Sequence, residues 1–147
     1  MRKKPLSKKE FENIYTRVPR LNVEIAVKTE KGIVLILRKS NGWENMWHIP
    51  GGTVYLGERL EETAVRIGEE ELGVAVEVKR LLGYIHYPNI VRDGGLGWPV
   101  GILFLCETTD ELPEVNEEGE KVSVFDKLPE NIIGDQIQIL VENRLAS

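Results

Sequence analysis

The sequence predicts an α/β fold in which a mixed β-sheet lies between helices. Three observations carry this. Strand-like and helix-like segments alternate along the chain. Ile33-Val-Leu-Ile-Leu37 is apolar throughout, as in a strand buried on both faces. The stretch from Glu58 to Leu72 keeps a helical period of apolar residues and stops before Gly73. The 147 residues suffice for one domain with a real core. No repeat, low-complexity tract or linker divides them, so residues 1–147 are read as a single domain.

The elements follow in order. Ser7 and Glu10 form a capping box for a short helix carrying Phe11, Ile14 and Tyr15, ending near Pro19. Leu21, Val23, Ile25 and Val27 alternate with polar or small residues, as in a half-buried strand. Glu30-Lys31-Gly32 turns the chain into the strand 33–37. Ser40 to Met46 reads as a loop before the approach Trp47–Gly52, where Gly51 and Gly52 are expected to turn the chain into the central helix. Beyond it, Val74–Tyr84, Pro99–Glu107 and Val122–Phe125 are strand-like. A glycine-rich loop, Tyr87–Trp98, separates the first two. A closing helix over Asp135–Leu145 is expected, capped by Asp135, with Ile137, Leu140, Val141 and Leu145 on its apolar face.

Composition narrows the function. A net charge of −5 argues against bulk nucleic-acid binding but permits a nucleotide in a local pocket. The single cysteine, Cys106, sits in the apolar run Ile102–Cys106 and is read as a buried strand residue. With no disulfide framework possible within the chain, a reducing cytoplasm is expected. No apolar stretch is long enough for a membrane span, and the basic start Arg2-Lys3-Lys4 leads into a helix, not a signal segment.

The central helix carries the chemistry. At about 100° per residue, Leu60, Ala64, Val65, Gly68 and Leu72 share one arc, with Ile67 at its edge. Glu58, Glu62, Arg66, Glu69 and Glu70 take the opposite arc. Glu71 breaks the pattern, because it falls on the apolar side. An unpaired carboxylate there would cost several kcal/mol or take up a proton, so pairing or a metal is expected. Glu70 lies beside it, and the two can converge on one hard cation. Magnesium, with manganese as a substitute, prefers oxygen ligands and leaves room for substrate phosphates. The plainer reading, a solvated acidic helix with Glu62–Arg66–Glu70 pairs four residues apart, suits Glu62 and Glu69.

The segment from about residue 52 to 74 resembles the Nudix box, the signature of hydrolases acting on nucleoside diphosphates linked to another group. Gly52, Glu58, Arg66, Glu70, Glu71, Gly73 and Val74 match the pattern at the required spacing. The preceding Trp47-His-Ile-Pro50-Gly51 also has the family's look. The resemblance implies the Nudix α/β/α sandwich, a mixed β-sheet between helices. It also implies metal ligation by Glu70, Glu71, the Gly51 carbonyl and a loop acid, with Arg66 tying Glu70 and Glu62 in place and Glu58 bracing the junction with Gly52. Two positions depart: the glutamate expected after the arginine is Ile67, and the next aliphatic position is Gly68. Ile67 can neither bind metal nor accept a proton. Glu69 projects roughly 200° away and cannot replace it. Gly68 inside a helix costs about 1 kcal/mol relative to alanine, which suggests close packing against a neighbour.

Other acids therefore compete for the base. Asp110, Glu111 and Glu114 read as a solvated loop, whereas Glu117, Glu118 and Glu120 immediately precede the last strand. Family members often place there an acid that reaches the metal or the attacking water. Glu118 is the first choice, followed by Glu120 and Glu117. His86, before the flexible loop, is a further candidate for proton transfer, and His48 reads as a packed strand residue. Trp43, Trp47, Tyr84, Tyr87 and Trp98 are candidates for stacking a base, and Arg38 for meeting a phosphate. Loops 41–46 and 89–98 are where specificity is expected.

The family resemblance implies water attack at phosphorus, releasing a nucleoside monophosphate and a phosphorylated group. The amended box and the segment Phe11–Val27 also resemble GDP-mannose mannosyl hydrolases, which cleave the sugar C–O bond with a loop histidine as base. Thr53 stands where those relatives carry a phosphate-binding arginine, and no histidine occurs near Gly119. A nucleotide sugar is thus the umbrella substrate, with pyrophosphatase-type or glycosyl cleavage open. A non-catalytic nucleotide-binding module is the competing class, and either a monomer or a homodimer is compatible with the chain.

Overall fold

A computed structural model describes residues 3–39 and 42–147. Arg2 of the basic start, and Ser40 and Asn41 at the head of the first loop, lie outside the described residues. Among the described residues, seven strands form one mixed sheet. The main path runs β3-β2-β1-β6-β5, with β4 pairing β1 and β7 pairing β2. These are β1 (Arg20–Thr29), β2 (Gly32–Leu37), β3 (Trp47–His48), β4 (Gly51–Thr53), β5 (Glu77–His86), β6 (Pro99–Glu107) and β7 (Val122–Phe125). β1 and β6 are parallel and the other pairings antiparallel. Helix α1 (Lys8–Tyr15) precedes β1, α2 (Leu60–Ile67) packs on β1, and α3 (Ile137–Glu142) closes the chain.

The α/β/α layering follows from two cores, one on each side of the sheet. Val23, Ile25, Val34, Ile36, Ile67 and Leu72 meet on the α2 side. Ala26, Ile33, Leu35, Trp47, Leu103 and Leu140 meet on the α3 side. β2 therefore needs apolar residues at every position, as its uniform run anticipated. The alternation in β1 has a different meaning from the expected half-buried strand. Val23 to Val27 are all buried, because β1 sits mid-sheet with cover on both faces, while Leu21 at its open end is exposed.

Several local expectations hold. Ser7 caps α1, with Glu10 N–H donating to its Oγ and Ser7 N–H donating to Glu10. Gly73 ends the central helical segment in the left-handed region at φ 68°, where glycine carries no Cβ penalty. Gly68 does pack closely: an added Cβ would lie 2.9 and 3.0 Å from the two Val76 methyls. Cys106 is fully buried in β6.

Other expectations are corrected. Gly51 and Gly52 do not turn the chain, because they extend antiparallel to β1 in β4. The turn comes later, with Glu58 N–H donating to the Tyr55 carbonyl and Gly57 at φ 81°. The central helix is not α-helical throughout: Gly68–Leu72 forms a wider π turn. Val65, placed on the apolar arc, is 38% exposed, whereas Arg66 on the opposite arc is buried. Asp135 does not cap the last helix, since it lies inside a 3-10 turn over Gly134–Gln136 and α3 starts after Gln136. Of that helix's expected apolar face, Leu140 and Leu145 are buried and Ile137 and Val141 are exposed.

Candidate metal and catalytic site

The site grows from the junction of β4 and α2. Arg66, only 6% exposed, is its structural hub. Its Nε and Nη2 donate to Glu58 Oε2 and Oε1 at 2.8 and 2.9 Å, its Nη2 also to the Thr53 carbonyl at 2.7 Å, and its Nη1 to Glu70 at 3.0 Å. The guanidinium lies 3.7 Å from the Tyr55 ring centroid. Hydrogen bonds from Arg66, with smaller contributions from Tyr55 N–H and Thr63 Oγ, hold the Glu58 carboxyl down at about 2. Glu58 thus joins Tyr55 N–H, the Thr63 hydroxyl and Arg66 at the loop-to-helix junction. Glu62 does not pair with Arg66; it accepts from Arg59 N–H and closes the first turn of α2.

Ile67 fills the position where the box expects an acid. It is 1% exposed in the α2-side core, and a Cβ on Gly52 would lie 2.5 Å from its Cδ1. The glycine and the isoleucine are therefore matched surfaces, and no carboxylate is available there.

Among the described residues, one group of three metal-ligating side chains converges: Glu71, Glu118 and Glu120, with one oxygen from each within 4.8 Å of the others. The π turn supplies Glu71 and the hairpin before β7 supplies the other two. Burial pushes the Glu71 carboxyl up to about 7, with Glu118, Glu120 and Glu70 raising it further and Arg38 opposing. A carboxylate held among like charges and partly out of water is one whose ionised form a cation would stabilise. The donor set is all oxygen, which suits a hard divalent ion. The residues present fit such an ion.

Arg38 joins this group from the end of β2. Burial lowers its pKa, while Glu120, Glu71 and Glu118 act in the other direction, so its charge is within electrostatic reach of theirs. Its Nε donates to the Gly42 carbonyl and its guanidinium lies over Trp43. Trp43 in turn donates from Nε1 to Asp93 at 3.3 Å. The two loops expected to set specificity therefore touch each other.

The remaining candidates separate. Glu70 is held by Arg66 and is not among the three converging acids, although it is near enough to raise Glu71. Glu117 is exposed and outside the group. Gly51 lies in β4 opposite Glu24. His86 sits at the exposed end of β5 with its ring against Tyr84. His48 is a packed residue, as read: burial and then Arg38 lower it to about 4, and its Nδ1 contacts the Ile49 carbonyl. Two stacking candidates are corrected. Trp47 is 8% exposed and packs edge-on against Phe125 inside the core. Tyr87 is 5% exposed, with its hydroxyl on Glu24 and Gln136. Neither presents an open ring face. Trp98 is 48% exposed.

Sequence reasoning missed Glu24. This residue of β1 is buried on the α3 side, bonded to Tyr87 and Gln136, and burial raises it to about 7. It is wedged between two glycines: a Cβ on Gly51 would lie 2.7 Å from its Cγ, and one on Gly101 2.2 Å from its Oε2. The available signal was a glycine in β6, Gly101, amid large apolar residues.

The chain is similar to known proteins in family and fold. The family model for the NUDIX domain matches residues 18–133. A low-salt glycan biosynthesis protein of Haloferax volcanii is 36% identical over 120 residues, covering 80% of this chain and 77% of that protein. An ADP-ribose pyrophosphatase of Methanocaldococcus jannaschii is 32% identical over 108 residues, covering 74% of this chain and 62% of that protein. The crystal structure of a MutT NUDIX hydrolase from Burkholderia pseudomallei superposes with a TM-score of 0.70 at 26% identity, over 84% of this chain and 97% of that one.

Proposed function

The chain belongs to the Nudix family of hydrolases acting on nucleoside diphosphate-linked substrates, and from that premise we propose that it hydrolyses a nucleotide sugar with the help of a divalent cation. The observation that carries this is the convergence of Glu71, Glu118 and Glu120, with Arg38 within electrostatic reach. The similarity to a glycan biosynthesis protein supports a sugar-linked substrate.

In this reading Glu71 and Glu118 hold the cation, with Glu120 as a third ligand and Glu70 close by, and magnesium is the expected ion. When bound, it would neutralise phosphate charge, orient the diphosphate and lower the pKa of water. The chain's own residues do the rest. Arg38 meets a phosphate oxygen. Arg66 keeps Glu70 and Glu58 fixed, so that the helix end does not move as substrate charge arrives. A loop acid, Glu120 or Glu118, accepts the proton of the attacking water in place of the acid that Ile67 replaces. Attack at phosphorus is favoured over glycosyl cleavage, because Thr53 has no cationic side chain and the loop carries no histidine. A lone buried cysteine suits a cytoplasmic setting.

The test is magnesium-dependent product release from a panel of nucleotide sugars and ADP-ribose. Turnover that Glu71→Gln abolishes supports the hydrolase; tight binding without turnover under any divalent metal indicates a binding module instead. Oxygen-18 water, by labelling phosphate or sugar, reports which bond breaks.

A further inference from the structure

The three carboxylates of the site repel one another, and two of them stand on a hairpin loop. Something must hold that loop, because free side chains and free backbone would relax by swinging apart. Glu118 is exposed, so packing of its side chain cannot hold it. The loop must therefore be held through its backbone amides.

Asn116, at the base of the loop, is 9% exposed, although the residues on either side of it are exposed. Its side-chain Oδ1 accepts two hydrogen bonds, from the backbone N–H of Glu118 at 3.1 Å and of Glu120 at 2.9 Å. Two converging backbone donors leave no choice about which end of the amide is oxygen. The Nδ2 faces Glu120 Oε1 at 3.4 Å. The backbone of Asn116 closes the same loop, donating to the Glu120 carbonyl at 2.9 Å and accepting from Gly119 N–H at 3.0 Å. Gly119 makes the reversal at φ 79°. The hairpin is then tied to the strand that carries Arg38: Lys39 N–H donates to Glu120 Oε2 at 3.3 Å, and Leu37 N–H to the Lys121 carbonyl at 2.9 Å.

We propose that Asn116 is the positioning residue of this site: its buried side-chain amide grips the amides of Glu118 and Glu120 and presents both carboxylates to Glu71 before any cation arrives. The inference rests on the metal-binding reading of that cluster. Asn116 touches neither cation nor substrate and acts only through the two glutamates. Its contribution is preorganisation, so its loss appears first in metal affinity. An alanine at 116 leaves two loop amides without their acceptor and lets the like charges separate. An aspartate keeps an acceptor for both amides but sets a carboxylate oxygen where Nδ2 faced Glu120 Oε1, adding a like charge beside the site.

The experiment titrates manganese alone into the full chain, without substrate, and follows free Mn2+ by electron paramagnetic resonance. Amide exchange at Glu118 and Glu120 is measured on the same samples. Asn116→Ala is expected to weaken Mn2+ binding by about 10-fold or more and to speed exchange at both amides. Asn116→Asp is expected to keep both amides protected and to bind Mn2+ more tightly than Asn116→Ala. Native Mn2+ affinity in a folded Asn116→Ala protein overturns the proposal. So does an aspartate variant that keeps both amides protected yet binds as weakly as alanine. Should the alanine variant fail to fold, the aspartate variant decides alone, by whether both amides stay protected. Failure of the underlying reading looks different: there the native chain itself binds no Mn2+, or Glu71→Gln leaves binding unchanged, and the role of Asn116 falls with it.

Discussion

Replacing Arg66 by alanine is the most demanding test of how this site is held. The side chain is buried and makes four hydrogen bonds, two of them to Glu58, one to Glu70 and one to the Thr53 carbonyl. Two routes give the size of the loss. The Glu58 carboxyl lies at about 2 instead of 4.5, which corresponds to roughly 3 kcal/mol of stability at neutral pH at about 1.4 kcal/mol per pKa unit. Removing one partner of a buried ion pair costs about 3–5 kcal/mol. Both point to a loss of about 3 kcal/mol at pH 7, or about 10 °C in Tm for a chain of this size.

The pH dependence distinguishes the ion pair from lost packing on Tyr55. Because the folded-state pKa of Glu58 is depressed, its contribution is fully present above about pH 5 and is lost as pH falls from 4.5 towards 2. The penalty of Arg66→Ala should therefore shrink by roughly 2 kcal/mol between pH 7 and pH 3. Urea unfolding of native and variant protein at the two pH values measures it. A penalty that stays constant with pH would refute the ion-pair account and assign the cost to packing.

Three further outcomes follow from specific contacts. Gly68→Ala gains about 1 kcal/mol of helix propensity but drives a Cβ to 2.9 Å from a Val76 methyl. A net loss of about 1 kcal/mol in denaturant unfolding is expected, and Gly68→Ala with Val76→Ala should recover part of it. Tyr87→Phe removes the hydroxyl bonded to Glu24 and Gln136 and should cost about 1–3 kcal/mol by the same assay. Ile67→Ala opens a cavity in the α2-side core beneath Gly52; a loss of about 2–5 kcal/mol in thermal or urea unfolding is expected, and a loss under 1 kcal/mol would mean that Gly52 moves to fill the space.

Much of this was legible before the structure because the signals are local. Ser7 and Glu10 define one end of α1, Gly73 ends the central segment, and the uniform apolar run of β2 reports cover on both faces. Glu71 stood out because it falls on the apolar side of a wheel, and it is indeed a partly buried acid. The parts that were not legible depend on distant segments or on a change of helical pitch. The π turn widens the helix just where Glu70 and Glu71 lie, so a constant 100° wheel set them as the converging pair. The structure gives Glu70 to Arg66 and brings Glu120 in from the hairpin. Glu24 looked like the outward position of an alternating strand. Its burial comes from Tyr87 and Gln136, whose approach depends on the crossover that sets β6 parallel to β1. Trp47 and Tyr87 looked like stacking residues because aromatic composition does not distinguish a core ring from an open one.

The central claim is that Glu71 and the hairpin acids hold a divalent cation. Crystals soaked in manganese and measured at its absorption edge test this most directly. The account predicts an anomalous peak bonded to Glu71 and to at least one of Glu118 and Glu120, and no such peak in crystals of Glu71→Gln. A native crystal in which these side chains point apart with no peak between them, or a peak that survives the glutamine substitution, would contradict it.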